Sequence, residues 1–143
     1  MSRNYPSLPM VGVAGIVWRG EKVLLIRRAK EPGAGRWSLP SGGQELGETM
    51  HEAVAREVME ESAVTASFGQ VVGAYDVLYR DDDGRVRYQF VIVCIEGEWS
   101  AGEPNGGDDA SDAAWYSLEE AKALGLWDEV LAHIVASAAR RGL

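Results

Sequence analysis

A glycine-rich stretch that leads directly into an amphipathic helix is the feature that most constrains the fold of this chain. The stretch Pro40-Ser41-Gly42-Gly43 comes first, and Thr49-x-x-Glu52 then has the spacing of a capping box, which predicts a helix to about Ser62. Four apolar residues share one face of this helix: Val54, Ala55, Val58 and Met59. Three acidic residues share another: Glu57, Glu60 and Glu61. The helix is therefore expected to pack one face on a sheet and to present carboxylates on the other.

The acidic face of this helix carries a cost that something must offset. Each pair of like charges at this spacing destabilises an isolated helix by a few tenths of a kcal/mol, on the order of 0.2–0.5. A hard divalent cation that takes carboxylate oxygens as ligands would remove the repulsion. An acidic face that is simply solvated is the alternative that the three glutamates alone leave open.

The glutamates belong to a longer pattern, Gly42-x5-Glu48-x7-Arg56-Glu57-Val58-x-Glu60-Glu61-x-Ala63-Val64, which resembles the Nudix box. All but one of the nine defined positions of that box match. Ala63 stands where the family has a glycine that ends the helix in a left-handed turn. Alanine there costs about 1 kcal/mol or redirects the turn. Ser41 also departs from the pattern, because it replaces the first of the usual two glycines after the proline.

The resemblance extends beyond the box and implies a fold. Trp37-Ser38-Leu39-Pro40 before the box, and Trp115 with Ser117-Leu118-Glu119-Glu120 near the end, are similar to family residues at those places. The implied class is α/β (α+β), with the Nudix fold: a mixed, curved β-sheet sandwiched between α-helices. Residues 1–9 are then a polar N-terminal lead-in, and residues 10–143 form a single domain.

Apolar runs and turn signals predict the remaining elements. Strands are expected at Met10–Trp18, Val23–Ile26, Trp37–Leu39, Thr65–Leu78, Val86–Ile95 and Ala114–Tyr116. The turn Asp81–Gly84 joins the two long strands. Ser117-x-x-Glu120 is a second capping box. An amphipathic helix near the end of the chain is predicted from apolar residues at helical spacing: Trp127, Val130, Leu131, Ile134 and Ala138.

The resemblance also implies a metal centre that holds Mg²⁺ or Mn²⁺. The ligands carried over by position are the backbone carbonyl of Gly42 and the side chains of Glu57, Glu60 and Glu61. Arg56 is expected to orient a glutamate, with Glu48 as its ion-pair partner. Metal ions suit this chemistry because water attack on a pyrophosphate adds negative charge, and a cation neutralises it.

A carboxylate must also accept the proton of the attacking water. Glu57 or Glu60 is expected to do so, so that the catalytic set is Glu57, Glu60, Arg56 and Glu48. Some members of the family use an acidic residue from a distant loop instead, and Asp109 and Asp112 are candidates for that role. Ordinary solvated aspartates are the alternative interpretation of this loop.

Substrate-binding residues are harder to read from the sequence. Arg27, Arg36 and Asp109 are the candidates, and Arg28 is expected to be a surface arginine. Four aromatic residues are candidate stacking platforms for a base, or else core residues: Trp18, Trp37, Tyr79 and Tyr88.

The segment Arg87-Tyr88-x-x-Val91-Ile92-Val93, followed by Gly107-Asp108-Asp109-Ala110, is similar to the compact ADP-ribose pyrophosphatase-like branch of the family, within its MutT-like members. The function this implies is divalent-metal-dependent hydrolysis of the pyrophosphate of a nucleoside diphosphate derivative, ADP-ribose to AMP and ribose 5-phosphate. The first alternative is a nucleotide-pool cleaning triphosphate pyrophosphohydrolase. A non-catalytic nucleotide sensor is the second.

Charge and cysteine content bear on partners and location. With 14 basic and 22 acidic residues the net charge is −8, which disfavours attraction to nucleic acid polymers or anionic membranes. The single cysteine, Cys94, leaves no internal disulfide, and no run approaches the roughly eighteen apolar residues of a membrane span. A cytoplasmic enzyme with a small nucleotide substrate is expected, and its pairing as a homodimer is left open.

Overall fold

The computed structural model of the protein describes residues 3–143, and a mixed sheet of seven strands organises this part of the chain. The strands are β1 (Met10–Arg19), β2 (Lys22–Arg28), β3 (Trp37–Ser38), β4 (Ser41–Gly43), β5 (Thr65–Arg80), β6 (Val86–Ala101) and β7 (Ala110–Ser117). The helices are α1 (Met50–Ser62), α2 (Leu118–Lys122) and α3 (Asp128–Arg140). The first two residues of the predicted lead-in lie outside the described residues.

Strand β1 lies at the centre of the sheet and pairs with three neighbours. It runs parallel to β6 from Met10 opposite Phe90 to Trp18 opposite Glu98, and antiparallel to β2 and β4. β5 pairs with the other edge of β6, and β7 with β2. Because helices cover both faces of β1, its side chains are buried without interruption from residue 12 to 18.

The two longer helices pack on opposite faces of the sheet. Val13 and Val17 of β1 pack with Val54 and Val58 of α1, whereas the alternate residues of β1 pack against α3. The residues of that second cluster include Ala14, Ile16, Trp18, Val130, Ile134 and Ala138. This alternation along a strand produces the sandwich of sheet between helices that the sequence predicts.

A polar network fixes α3 to the sheet inside this apolar contact. The indole Nε1 of Trp18 donates to Ser137 Oγ at 2.9 Å, and the Ser137 hydroxyl donates to the Glu96 carboxylate. Arg140 pairs with the same carboxylate at 3.0 Å. Trp18 is therefore a core residue, and the suggestion that it could stack on a base is wrong.

The structure corrects the prediction for α1 and its surroundings in three places. The capping box forms as predicted and the helix ends at Ser62, but Ala53 is buried in the place expected for Ala55. Met59 is 45% exposed, so it does not pack on the sheet. The glycine-rich stretch, for which the sequence predicts no strand, contributes β4, which pairs with β1 between Ser41–Gly43 and Gly12–Ala14.

The long strands extend further than the sequence indicates. β5 reaches Arg80 and β6 reaches Ala101, because the two pair as an antiparallel hairpin with bulges along most of their length. No helix within residues 3–143 is long and apolar enough to cross a membrane.

Ala63 ends α1 in a left-handed conformation. Its φ of 62° is one that L side chains rarely adopt, and its backbone N–H donates to the Met59 carbonyl at 2.9 Å. Alanine therefore keeps the turn that the family makes with glycine, and the chain carries the conformational cost.

We expect Ala63→Gly to raise the free energy of unfolding by about 1 kcal/mol, because glycine adopts positive φ without a Cβ clash. Urea denaturation at constant m-value measures the change. Ala55→Gly, at an exposed position inside the same helix, is the matched control and should lower stability by about 1 kcal/mol. A loss of stability in both variants would contradict this account of the helix end.

Candidate active site

The acidic face of α1 lies against β4 and is mostly buried there. Glu57 and Glu61 are 6% and 5% exposed, whereas the Glu60 side chain is 42% exposed. Glu61 Oε2 accepts the backbone N–H of Ser41 at 2.9 Å. The helix thus places two carboxylates side by side under the short strand, and leaves a third near the surface.

Arg56 connects this helix to the loop that precedes it. Its Nε and Nη2 donate to the two oxygens of Glu48 at 2.6 and 2.9 Å, and Nη2 also donates to the Gly43 carbonyl at 3.0 Å. The remaining nitrogen, Nη1, donates to Glu57 at 2.8 Å and to Glu60 at 3.3 Å. One planar guanidinium therefore sets the positions of the loop and of two glutamates.

The loop itself holds Glu48 ready for this ion pair. The backbone N–H of Glu45 donates to Glu48 Oε1 at 2.9 Å. The Arg56 guanidinium, followed by this backbone bond, lowers the pKa of Glu48 to about 2. The predicted pairing of Arg56 with Glu48 is thus present in the geometry, while the catalytic part assigned to these residues stays a prediction.

Gly42 is glycine for a steric reason. A Cβ at this position would overlap the Glu57 carboxylate, which lies directly against the backbone of β4. Any side chain here would push Glu57 away from Glu61 and from the strand. The absence of a side chain therefore lets a carboxylate and the main chain of β4 approach closely.

The electrostatics of the buried pair favour the binding of a cation. Burial is the main cause that raises the pKa of Glu61, to about 8, and the neighbouring Glu57 adds to it. Burial also raises the pKa of Glu57, against the opposing effect of Arg56. Glu57 contacts the Arg56 guanidinium, whereas Glu61 accepts a backbone N–H, and two desolvated carboxylates so placed are costly unless a further positive charge is supplied.

The residues fit a hard divalent cation in their chemistry. Within residues 3–143 no three acidic, histidine or cysteine side chains already converge as a metal cluster, because Glu57 and Glu60 turn to Arg56 and Glu61 bonds the main chain. Carboxylate and carbonyl oxygens are nevertheless the donors that Mg²⁺ and Mn²⁺ prefer. Glu57, Glu61 and the adjoining Gly42 supply these oxygens at the place where α1 meets β4, here called the acidic corner.

A cavity of about 770 Å³ opens beside this corner. Its polar lining includes Arg3, Arg28, Ser41, Gly42, Glu61 and Asp109. Asp109 pairs with Lys30 at 2.6 Å and raises the pKa of Glu61 by its charge. Asp112, the other predicted loop candidate, is exposed, and its Oδ1 accepts the backbone N–H of the next residue at 2.8 Å.

The arginines are distributed differently from the sequence expectation. Arg28 is half-buried and lines the cavity, with its Nε donating to the Pro32 carbonyl at 2.7 Å, so the expectation of a surface arginine is wrong. Arg27 is exposed, and its Nε donates to the Gly35 carbonyl at 3.1 Å. Arg36 lies further along, in a second cavity of about 500 Å³.

Aromatic residues line the junction of the two cavities. Tyr79, Tyr88 and Trp127 line both, and the Arg36 guanidinium lies 4.7 Å from the centre of the Trp127 ring. Trp37 instead packs edge-on against Tyr116 at 5.2 Å.

The sequence assigned Trp127 to the apolar face of the last helix, but Trp127 is the residue that precedes the first turn of α3. Its closeness to Gly33, where a Cβ would clash with the indole, is a contact that no local pattern reveals.

Comparisons with known proteins agree with this geometry. The family model described as the NUDIX domain matches residues 8–137. An ADP-ribose pyrophosphatase of Methanocaldococcus jannaschii is 39% identical over 111 residues, which cover 77% of this chain and 63% of that protein. The chain thus spans less than two thirds of the length of this relative.

Solved structures share the fold. A NUDIX hydrolase of Nitrosomonas europaea superposes with a TM-score of 0.76 at 21% identity, covering 96% of this chain and 74% of that one. A bifunctional NMN adenylyltransferase/ADP ribose pyrophosphatase of Francisella tularensis, complexed with AMP and Mn ion, gives 0.68 at 25% identity, covering 94% and 42%. These likenesses confirm the predicted mixed sheet between helices.

We expect Arg56→Lys to lower the free energy of unfolding by about 2 kcal/mol, because an ammonium cannot reproduce the fork that binds both Glu48 oxygens and the Gly43 carbonyl. Chemical denaturation provides the measurement. Glu60→Gln, which changes only the exposed 3.3 Å contact, should shift stability by less than about 0.5 kcal/mol. Equal stability of the Arg56→Lys variant and the native chain would show that the guanidinium does not join loop to helix.

Proposed function

The chain belongs to the Nudix family, and from this premise we propose that it is a pyrophosphohydrolase that needs Mg²⁺ or Mn²⁺ and cleaves a nucleoside diphosphate derivative. The observation that carries the proposal is the pair of buried carboxylates, Glu57 and Glu61, beside Gly42 at the floor of a cleft. Two carboxyl groups buried this closely do not stabilise the fold by themselves, since burial raises the pKa of both. Their burial is explained if a cation joins them when the enzyme works.

Glu57, Glu61 and the Gly42 carbonyl would hold this cation, with Glu60 as a further oxygen donor within the same turn and a half of helix. When bound, the cation supplies Lewis acidity, which neutralises charge on phosphoryl oxygens. The structure of the Francisella tularensis relative contains Mn ion and AMP, and the carboxylate-rich donor set here suits the same hard class of metal.

The side chains of this chain then divide the remaining tasks. Arg28, within electrostatic reach of Glu61, binds phosphate oxygens. Glu60 accepts the proton of the attacking water, because it is the most exposed of the three glutamates and its 3.3 Å contact with Arg56 is longer than the 2.8 Å contact of Glu57. Arg56 and Glu48 act through the others, since they hold the helix and loop in register. Asp109 is tied to Lys30 and is the less suitable base.

ADP-ribose is the substrate that we propose within this class. Water attacks one phosphorus of the pyrophosphate, the bridging P–O bond breaks, and the products are AMP and ribose 5-phosphate. Two features support this choice: the identity to the Methanocaldococcus jannaschii ADP-ribose pyrophosphatase, and the aromatic junction of Tyr79, Tyr88 and Trp127 beside the acidic corner. A cleft of about 770 Å³ lies within the usual range for a ligand of this size.

We expect the purified protein to hydrolyse ADP-ribose with Mg²⁺ or Mn²⁺, to lose activity in EDTA, and to release AMP and ribose 5-phosphate on chromatography. Glu61→Gln should lower kcat/KM at least about a hundredfold, because an amide is a poor ligand for a hard cation. Glu119→Gln, an acidic residue exposed on α2, is the matched control and should leave the rate unchanged.

Three outcomes would contradict the proposal at different levels. Nucleoside triphosphates hydrolysed far faster than ADP-ribose would favour the triphosphate pyrophosphohydrolase. Full activity of the Glu61→Gln variant, with folding unchanged, would remove the metal assignment. Binding of ADP-ribose without any turnover, in the presence of either metal, would favour the nucleotide sensor.

A further inference from the structure

The N-terminal segment of residues 3–9, here called the strap, is fastened to the turn that joins β5 and β6 and to the start of β6. The backbone N–H of Tyr5 donates to the Arg87 carbonyl at 2.8 Å, and its hydroxyl donates to Asp81 Oδ2 at 3.0 Å. The Arg85 guanidinium lies 4.4 Å from the centre of the Tyr5 ring. Three separate contacts therefore hold one residue of a segment that forms neither helix nor strand.

The acceptor of the Tyr5 hydroxyl is fixed independently of the strap. Asp81 Oδ1 accepts the backbone N–H groups of Asp83 and Arg85 at 3.0 and 2.9 Å, so the turn itself orients the carboxylate. Tyr5 has a φ of 51°, a left-handed conformation that is uncommon for a residue with a large side chain. Its contacts with the turn offset the cost of this conformation and define the direction of the chain on either side.

That direction brings Arg3 into the cleft. Arg3 lines the cavity that also contains Gly42, Gly43 and Glu61. A Cβ added at Gly43 would lie 2.9 Å from Arg3 Nη2, so the guanidinium lies directly against Gly43. Its charge reaches Glu57, whose pKa it lowers against the effect of burial. The strap therefore carries a guanidinium to the same corner that α1 supplies with carboxylates.

The charges of the cleft give this guanidinium a function. Lys30, another cation of the lining, is paired with Asp109, and Arg28 approaches from the end of β2. A chain of net charge −8 must gather positive charge locally if it is to hold a pyrophosphate. Arginine suits that purpose because its planar fork matches phosphate oxygens.

We propose that Arg3 binds a phosphate oxygen of the substrate and that Tyr5 positions it, so that the strap completes the binding cleft. This inference rests on the proposed function for the identity of the ligand. It adds a substrate-binding residue from a segment that the sequence assigned to a polar lead-in. Tyr5 acts only through Arg3, since its contacts are with the hairpin turn.

The test compares Arg3→Ala, Arg3→Lys and Tyr5→Phe with the native chain in steady-state hydrolysis of ADP-ribose. Loss of a charge-assisted hydrogen bond to phosphate should raise KM about tenfold or more in Arg3→Ala, with kcat within about twofold. Arg3→Lys should recover part of this, because it keeps the charge and loses the fork. Tyr5→Phe keeps the ring and the backbone bond, so we expect a smaller rise in KM, of about two- to fivefold.

A second measurement separates this inference from the proposed function. Calorimetric titration of ADP-ribose in EDTA reports binding without turnover, and the affinity should fall by about the same factor in Arg3→Ala. Lys122→Ala, which removes one positive charge on α2, is the control and should change neither KM nor affinity. If the native chain binds ADP-ribose but does not hydrolyse it, the proposed function fails while the Arg3 effect on binding still supports the strap.

Two results would overturn the assignment of Arg3. The first is an unchanged KM and an unchanged affinity for ADP-ribose in Arg3→Ala, with an unchanged melting temperature. The second is a lower Mg²⁺ concentration for half-maximal activity in Arg3→Ala without any change in KM. In that case Arg3 would compete with the cation at Glu57 rather than bind the substrate.

Discussion

The Arg56 guanidinium makes the hydrogen bonds on which the site depends. It binds Glu48 through two hydrogen bonds, the Gly43 carbonyl through a third and Glu57 through a fourth. The loop, the short strand β4 and the helix α1 are thereby held as one unit. Because Val54 and Val58, on the same buried side of α1 as Glu57 and Glu61, are packed in the core, the carboxylates cannot withdraw toward solvent. The fold keeps them buried at the cleft, and their charge makes that place suitable for a cation.

The sequence predicts this unit well because its signals are local. Both bonds of the capping box form at Thr49 and Glu52, and α1 ends at the predicted residue. Spacing along a helix determines which residues share a face, so the acidic group can be recognised from the order of the residues alone. The box also made the pairing of Arg56 with Glu48 predictable. At Ala63 the left-handed end survives without glycine, which shows that surrounding contacts outweigh the preference of a single residue.

What the sequence could not predict depends on contacts between distant segments. β4 is three residues long, too short for any periodicity, and exists because it pairs with β1. The pairing of β2 with β7 shifts between Arg27 and Arg28, and such a bulge re-aims side chains, so which arginine faces the cleft could not be read from alternation. Trp127 packs against the core, as its spacing predicts, but it also lines the cleft, which the spacing does not reveal. The strap depends on Tyr5 reaching a turn 76 residues away.

We propose that Glu57 and Glu61, buried beside Gly42, form a site for a divalent cation. Electron paramagnetic resonance tests it most directly, because the signal of free Mn²⁺ disappears as the ion binds. We expect the native chain to remove the free signal in proportion to protein concentration, Mg²⁺ to restore it by competition, and the double variant Glu57→Gln, Glu61→Gln to leave it unchanged. If the native chain left the Mn²⁺ signal as strong as the double variant does, Glu57 and Glu61 would not form a cation site.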